Sequence, residues 1–565
     1  MPEVQYLEAA GLPSSLRRLP SASQDLIVLI TGALNPAERC IEPVEMWKEC
    51  LDECVRLLRE GGLLFVQGRP SVLPEVGVYL DRSLHFRYWI AVESARYRPT
   101  HGLPSVHAAI LLFSKGERFE IRRVRFPHEY CAFCGRTLRD WGGKSHLMNP
   151  QGYAMSDVWK GLPPADNYNG LSIPVLDTIL QMVGAAAADP AQEVQGLVIP
   201  KEGVGMEASG PLTPSSLPLC SKAGPIEQRP NRSSGSEPGE DELWDQVWQG
   251  DVLEVLRRYP DKSVDLAFAD PPYNLDKAYH IYEDEREREA YLAWCNAWLE
   301  EYIRVLKPTG SLYILNLPHW TMYHAAFLNR HLYFQNWIVW DAVSEPRGKL
   351  LPAHYGLLFY TKHPTDFTFN YDEVGSIDAR CYCLRSSCIR KRKALGEDRK
   401  ERLTDIWWDI HRIKHRRHRD YHPCQLPDAL LERIIRLSSN PGDIVLDALA
   451  GTGTTAVVAA RLGRRYVAVD IDPTYVAITR EKLAQVKIWG DIYRPPVPRP
   501  RPRYNKKALQ LELREIALQL SRLPTPEDVR RLSRYGLEAF LEAFPSWGKA
   551  LKAAKLEVRD DAQGT

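Results

Sequence analysis

Residues 269–275 read Ala-Asp-Pro-Pro-Tyr-Asn-Leu and directly follow the apolar run 264–268. A carboxylate at the end of a buried strand can accept one N–H of a planar amino group, and the backbone carbonyl of Pro271 can accept the other. Pro271 and Pro272 fix φ and stiffen the turn that aims both acceptors. Tyr273 offers a face on which a base can stack. An exocyclic amine is a poor nucleophile because its lone pair is delocalised into the ring. Two acceptors on its hydrogens favour a tetrahedral nitrogen, whose freed lone pair can attack a methyl donor. A strand ending in an ordinary Pro-rich turn would look the same over so few residues, so the reading needs a second element.

That element lies further on. Residues 443–449 form a short apolar strand, followed by Ala450-Gly451-Thr452-Gly453-Thr454-Thr455 and an Ala/Val-rich helix that stops at Gly463. A second apolar strand, 465–471, ends at Asp470 and Asp472. Glycines at a strand-to-helix turn let a cofactor approach the backbone, and an acid at the next strand end can bind ribose hydroxyls. Gly451-x-Gly453-x-x-Ala456 also fits the dinucleotide fingerprint, so a nicotinamide dehydrogenase competes on this stretch alone. It loses because nothing else in the chain suggests hydride chemistry. Between the two elements His422-Pro423-Cys424-Gln425-Leu426-Pro427 precedes an amphipathic stretch, 428–437. Pro423-Cys424 raises a cytosine C5 methyltransferase as a rival. The pair precedes the helix leading to the cofactor strand, where a buried, inert cysteine fits better.

Asp270-Pro271-Pro272-Tyr273 resembles the catalytic motif of amino-group DNA methyltransferases, which act on N6 of adenine or N4 of cytosine. His422-Pro423-x-Gln425-x-Pro427 resembles the element that contacts S-adenosylmethionine in the same family. The order of catalytic motif, basic insert, His-Pro element and cofactor loop is the permuted arrangement of the β-type enzymes, over about 243–490. Ala450 departs from the pattern, standing where the family often has an aromatic-Ser pair. The resemblance implies Asp270, Pro271, Pro272 and Tyr273 as catalytic residues. It implies Asp447, Ala450, Gly451, Gly453, Thr454, Asp470, His422 and Gln425 as the S-adenosyl-L-methionine site, with no metal. Asp at the first motif position implies adenine. N4-cytosine is the alternative, ahead of an RNA methyltransferase or a non-catalytic DNA-binding regulator. Implied partners are double-stranded DNA, with the target base swung out of the stack, and a companion restriction endonuclease of a restriction-modification pair.

The elements that must position these residues alternate. Strand 264–270 precedes a helix over 289–306, whose apolar residues recur at helical spacing. Strands at 311–317, 336–341 and 355–362 follow, then the cofactor half. Alternation predicts a Rossmann-like α/β fold, a mostly parallel sheet with helices on both faces and ligands at the strands' carboxyl ends.

The N-terminal half reads as a second copy. Residues 56–66 parallel 304–314, residues 86–90 parallel 334–338, and 107–115 parallel 354–362. Ser156-Asp157-Val158-Trp159 parallels Thr404-Asp405-Ile406-Trp407. This copy carries Ile30-Thr31-Gly32-Ala33 in place of the Asp-Pro-Pro-Tyr turn and lacks the glycine loop, so the expectation is a degenerate α/β domain over 1–184. It could serve as a built-in replacement for a second subunit. Residues 185–242, rich in Pro, Gly, Ser, Glu and Ala, read as a flexible linker before the catalytic domain, 243–494.

The insert 370–421 is the expected target-recognition region. It holds Arg390-Lys391-Arg392-Lys393, Arg399, Lys400 and a run from Arg412 to Arg419, dense enough to neutralise phosphates and reach guanine edges. A solvated charged loop is the usual explanation for a charge run, but the position between the two active-site motifs favours DNA. Cys131-x-x-Cys134 and the group Cys381, Cys383 and Cys388 occupy matching places in the two halves; structural zinc is the minor reading, since neither group supplies two clean ligand pairs, although His128 or His411 could contribute. A Pro/Arg linker, 495–506, leads to a helical module over 507–558 with helices from Ala508, from Glu527, and a third ending within 544–551. Leu-Arg-Glu-Ile-Ala, Pro-Thr-Pro and Phe-x-Ser-Trp-x-x-Ala-Leu resemble the small helical repeat associated with homing endonucleases, which implies DNA binding; a packing cap around Trp547 is the competing reading. The 565 residues call for several domains, and the formal net charge of +1 confines any nucleic-acid footprint to a local patch. The 11 cysteines suit reduced thiols in a cytoplasm, and neither a bilayer-spanning stretch nor a signal peptide is expected.

Overall fold

Runs such as Ile27–Ile30 and Leu266–Ala269 are buried at nearly every position, the pattern of strands covered on both faces. The computed structural model describes residues 3–8, 12–31, 43–97, 102–138, 148–160, 162, 170–184, 195–199, 243–274, 286–342, 348–397, 399–413, 425–486, 506–533, 535–544 and 546–556. The chain divides into two units, 1–491 and 492–565. No helix among the described residues is long and apolar enough to cross a membrane.

The first unit contains two large sheets. The N-terminal strands are β1 (Glu3–Tyr6), β2 (Gln24–Ile30), β3 (Leu58–Gly68), β4 (His85–Tyr97), β5 (Ser105–Ser114), β6 (Arg125–Phe126), β7 (Tyr153–Ala154), β8 (Val158–Trp159) and β9 (Gln195–Ile199). After them come β10 (Gln246–Gln249), β11 (Val264–Ala269), β12 (Leu306–Asn316), β13 (Tyr333–Asp341), β14 (His354–Thr361), β15 (Ser376–Asp378), β16 (Lys400–Arg402), β17 (Ile406–Trp407), β18 (Ile444–Asp447) and β19 (Arg465–Asp470). The strand orders are β1-β9-β2-β3-β5-β4-β8 and β10-β19-β18-β11-β12-β14-β13-β17. In the second sheet β10, β19, β18, β11 and β12 are parallel neighbours, and β14 runs antiparallel to β12 and β13.

The same bonds recur in both sheets. Lys362 Nζ donates to the Ile303 and Leu306 carbonyls at 2.7 and 2.8 Å, and Lys115 Nζ to those of Val55 and Leu58 at 2.9 Å. Arg304 bonds the Leu256 and Tyr259 carbonyls, and Arg56 bonds those of Leu16 and Leu19. Strand β9 pairs with β2 as β18 pairs with β11. It falls inside the stretch expected to be linker, which corrects that boundary: Gly196-Leu197-Val198-Ile199 is a short apolar run hidden by the Ala/Pro-rich residues around it.

The two halves meet through matched residues. Asp157 donates its N–H to the Leu351 carbonyl at 3.0 Å, and its carboxylate accepts Ala353 N–H at 2.9 Å. Asp405 does the same with the Pro104 carbonyl at 3.2 Å and Val106 N–H at 2.8 Å. Trp89 and Trp337, both buried, stack at 3.7 Å between ring centroids. Helix Leu73–Leu80 lies so close to helix Pro318–Leu328 that a Cβ on Gly77 would sit 2.1 Å from Met322 Sδ. One buried apolar cluster therefore includes residues from both sheets.

Part of the insert folds as the two-stranded sheet β15–β16 and the helix Ser386–Leu395, after which β17 returns to the main sheet beside β13. Arg390, Lys391 and Lys393 are exposed. Arg392 is not, which corrects its place in the expected phosphate-facing cluster: it is buried, pairs with Asp378 at 3.0 Å and stacks over Tyr382 at 4.2 Å. Residues 414–424 lie outside the described residues, with most of the second basic run.

The C-terminal unit holds helices Lys506–Leu520, Pro526–Leu532, Gly536–Ala543 and Trp547–Ala553 around Leu509, Leu513, Val529, Phe540 and Phe544. The third helix of the sequence reading is two. Phe544 is extended, and Ser546 caps the next helix by accepting Lys549 N–H at 3.3 Å.

The Trp89–Trp337 stack holds the two halves together, so Trp337→Ala should lower unfolding free energy by about 3–5 kcal/mol. Urea denaturation of the full chain, read by intrinsic fluorescence and far-UV circular dichroism, measures it.

Candidate active site

Because β11, β18 and β19 are parallel and in register, their carboxyl ends share one edge of the sheet. Phe268 lies opposite Asp447, and Gln249 opposite Asp470. Asp270, Asp447 and Asp470 are thereby carried to one place, where ligands of open α/β sheets bind. A cavity of about 1140 Å³, measured with its open mouth, is lined there by Asp270, Pro271, Pro272, Tyr273, Gln425, Asp447, Ala450, Gly451, Thr454 and Asp470. The proline turn and the glycine turn, nearly two hundred positions apart in the chain, face the same space. Gly453 stands behind the wall, its Cα against Thr479. His422 lies outside the described residues.

Tyr302 ties the strand ends together. Its hydroxyl donates to the Phe268 carbonyl at 3.2 Å and accepts Ala448 N–H at 2.7 Å. On the proline-turn side the Pro272 carbonyl accepts the Tyr291 hydroxyl at 2.7 Å, and the Tyr273 carbonyl accepts Trp320 Nε1–H at 2.8 Å. The Tyr273 ring is buried beside Tyr355, and its hydroxyl donates to Asp270 Oδ1 at 2.8 Å, a contact its type alone did not announce. Asn274, at φ +53°, bonds both the N–H and the carbonyl of Arg286.

On the glycine-turn side, Asp470 accepts Gly451 N–H through Oδ2 and Asp472 N–H through Oδ1, both at 2.8 Å. Burial pushes Asp470 up to about 6, against those two bonds. Asp447 accepts the Thr455 hydroxyl at 2.6 Å and Leu449 N–H at 3.1 Å; burial pushes it up to about 7, with the Asp470 charge adding to the effect. Gly451 and Gly453 have φ of +50° and +74°, a region that L side chains rarely adopt.

The sequence reading missed one wall. Gly250 and Asp251 line the cavity after β10; Asp251 caps the helix Val252–Leu256 by accepting Leu253 N–H at 2.8 Å. Gly-Asp between a strand and an apolar helix start was the available signal. Arg286, lying over Trp294 at 5.1 Å, and Tyr475 complete the rim. Carboxylates at strand ends, a glycine turn and apolar walls suit a ligand that combines ribose hydroxyls with a flat base.

The N6/N4 methyltransferase family model, described as DNA methylase, matches residues 264–481. Type II methyltransferase M.BamHI of Bacillus amyloliquefaciens is 37% identical over 258 residues, 44% of this chain and 60% of that protein. DNA adenine methyltransferase YhdJ of Escherichia coli K12 is 32% identical over 243 residues, 42% of this chain and 82% of that protein. The structure of a DNA modification methylase from Thermus thermophilus, complexed with S-adenosyl-L-methionine, is similar at 25% identity with a TM-score of 0.31, over 42% of this chain and 93% of that one. The chain belongs to the N6/N4 DNA methyltransferase family.

A Cβ on Gly453 would lie 2.2 Å from Thr479 Cγ2, whereas one on Gly463, at φ +72°, meets nothing within 4 Å. Gly463→Ala should cost about 1–2 kcal/mol for left-handed backbone alone. Gly453→Ala should cost more than that, because its Cβ also meets Thr479; paired urea titrations compare the two.

Proposed function

We propose that this protein transfers a methyl group from S-adenosyl-L-methionine to the exocyclic amino group of a base flipped out of duplex DNA, N6 of adenine in particular. The observation that carries the reading is the single cavity faced by Asp270 and by the Gly451 turn with Asp470. S-adenosylmethionine, when bound, supplies an electrophilic methyl group. Asp470 and the Gly451–Thr454 turn would hold its nucleoside part, with Asp251 and Gln425 on neighbouring walls. Asp270 and the Pro271 carbonyl would accept the amino hydrogens of the base and direct its nitrogen lone pair at the methyl carbon. Positioning supplies most of the acceleration, with no covalent intermediate on the protein.

Adenine is favoured by Asp at the first motif position and by the likeness to YhdJ, a DNA adenine methyltransferase. The exposed Arg390, Lys391 and Lys393 and the helical C-terminal unit are assigned to DNA. The N-terminal half we read as a degenerate copy standing in for a second subunit, supported by the reciprocal Asp157 and Asp405 contacts. In a restriction-modification pair the methyl mark would shield the site from a companion endonuclease.

Asp270→Ala should lower methyl transfer by at least about 10²–10³-fold while donor affinity stays within a few-fold, read by radiolabel incorporation and by calorimetry. Undiminished transfer would remove Asp270 from the chemistry. Modification-sensitive sequencing of DNA from expressing cells should report N6-methyladenine; N4-methylcytosine would overturn the choice of base. Donor binding should also depend on pH. The ionised Asp470 is the better acceptor, so affinity should fall as pH drops through about 6 and the carboxylate takes up a proton. Asp470→Asn should bind weakly at neutral pH and flatten that decline, as calorimetry across this range would show.

A further inference from the structure

Four cysteines from two distant segments converge in the first unit. The sulfurs of Cys131, Cys134, Cys383 and Cys388 all lie within 4.8 Å of one another. Cys131 Sγ is 3.8 Å from Cys388 Sγ, and Cys134 Sγ is 3.7 Å from Cys383 Sγ. A disulfide needs about 2.05 Å, so these are not bonded pairs. A metal held tetrahedrally by thiolates at about 2.3 Å has sulfur–sulfur edges of about 3.8 Å, which these separations match. A cubane iron–sulfur cluster spreads its four cysteines wider than this group is spread.

The backbone is shaped for such a group. Tyr130 and Thr137 bridge as antiparallel neighbours, Cys131 N–H bonds the Arg136 carbonyl at 2.7 Å, and Gly135 N–H bonds the Cys131 carbonyl at 2.9 Å. Gly135 takes φ +66°, which folds Cys-x-x-Cys-Gly into a tight knuckle. The second segment docks on the knuckle: Ala132 N–H bonds the Cys381 carbonyl, and Arg385 Nη1 bonds the Thr137 carbonyl, both at 2.8 Å. Apolar packing here is slight, with Tyr382, Phe133 and Leu138 the main hydrophobic neighbours of the thiols. A bound ion takes the place of a core where so few apolar side chains are available.

We infer that Cys131, Cys134, Cys383 and Cys388 bind one Zn²⁺ as a closed structural tetrathiolate that clasps the N-terminal half to the insert. Each thiol gives up its proton to solvent on ligation, and no position remains open for a substrate. Cys388 sits in the first turn of the helix Ser386–Leu395, so the ion fixes the root of the helix that displays Arg390, Lys391 and Lys393. The sequence offers structural zinc only as a minor reading of two separate cysteine groups; the fold joins four of those cysteines into one set. The assignment is independent of the methyl-transfer reading.

Elemental mass spectrometry of the full chain, purified without chelators, should find about one zinc per chain. Cys383→Ser and Cys388→Ser should each lose the metal, while Cys381→Ser and Cys295→Ser keep it. Replacement of the metal by Co²⁺ in the wild-type protein should give the intense thiolate-to-cobalt absorption of a tetrahedral sulfur site, a readout that does not depend on a variant folding. Chains carrying no zinc before and after anaerobic reconstitution would overturn the inference. So would iron in its place, or disulfides joining Cys131 to Cys388 and Cys134 to Cys383 in peptide maps.

Discussion

The site depends on the register of three parallel strands. β11, β18 and β19 each end in or beside an aspartate, and their pairing puts those ends on one edge. A slip of one residue in any pair would turn a carboxylate from the cavity toward a packed face. The Tyr302 hydroxyl guards against such a slip, since it bonds the Phe268 carbonyl on one side and Ala448 N–H on the other. A buried phenol with both bonds made holds the strand ends at fixed separation, because losing either would leave a polar group unsatisfied in the core.

The same economy of contacts joins the halves of the first unit. Asp157 and Asp405 each reach across with a backbone N–H and a carboxylate, and each meets the segment leading into the partner half's β5 or β14. Equivalent residues meeting reciprocally is the geometry of an isologous interface. Covering β4 and β13 in this way buries Trp89 and Trp337, which would otherwise be large apolar surface. The N-terminal half has Ile30 and Thr31 where the other has Asp270 and Pro271, and contributes its packing surface to the shared core.

What could be read in the residues followed from local signals. Apolar strands ending in Asp-Pro-Pro-Tyr, and glycines with positive φ before a helix, carry their geometry in a few consecutive positions, so Asp270, Gly451 and Asp470 were accessible. Other features are set by tertiary neighbours. Tyr273 donates to Asp270 because Trp320 and Tyr355 hold its backbone and ring in place. Arg392 reads as one more cation in a basic run, yet Asp378 and Tyr382 bury it. Strand β9 is too short to stand out from its surroundings, and its strand character comes from the pairing with β1 and β2.

The cysteines show the limit most clearly. Spacing within one segment is the usual signal for a thiolate site, and neither segment carries a complete set. The set exists only because the halves pack with their matching regions together, so the ligand pairs come from positions about 250 residues apart. Packing of the two halves thus brings together a set of four thiols that neither half contains. Its place at the foot of the exposed basic helix makes the orientation of the insert a consequence of that same packing, and not of the insert's own residues.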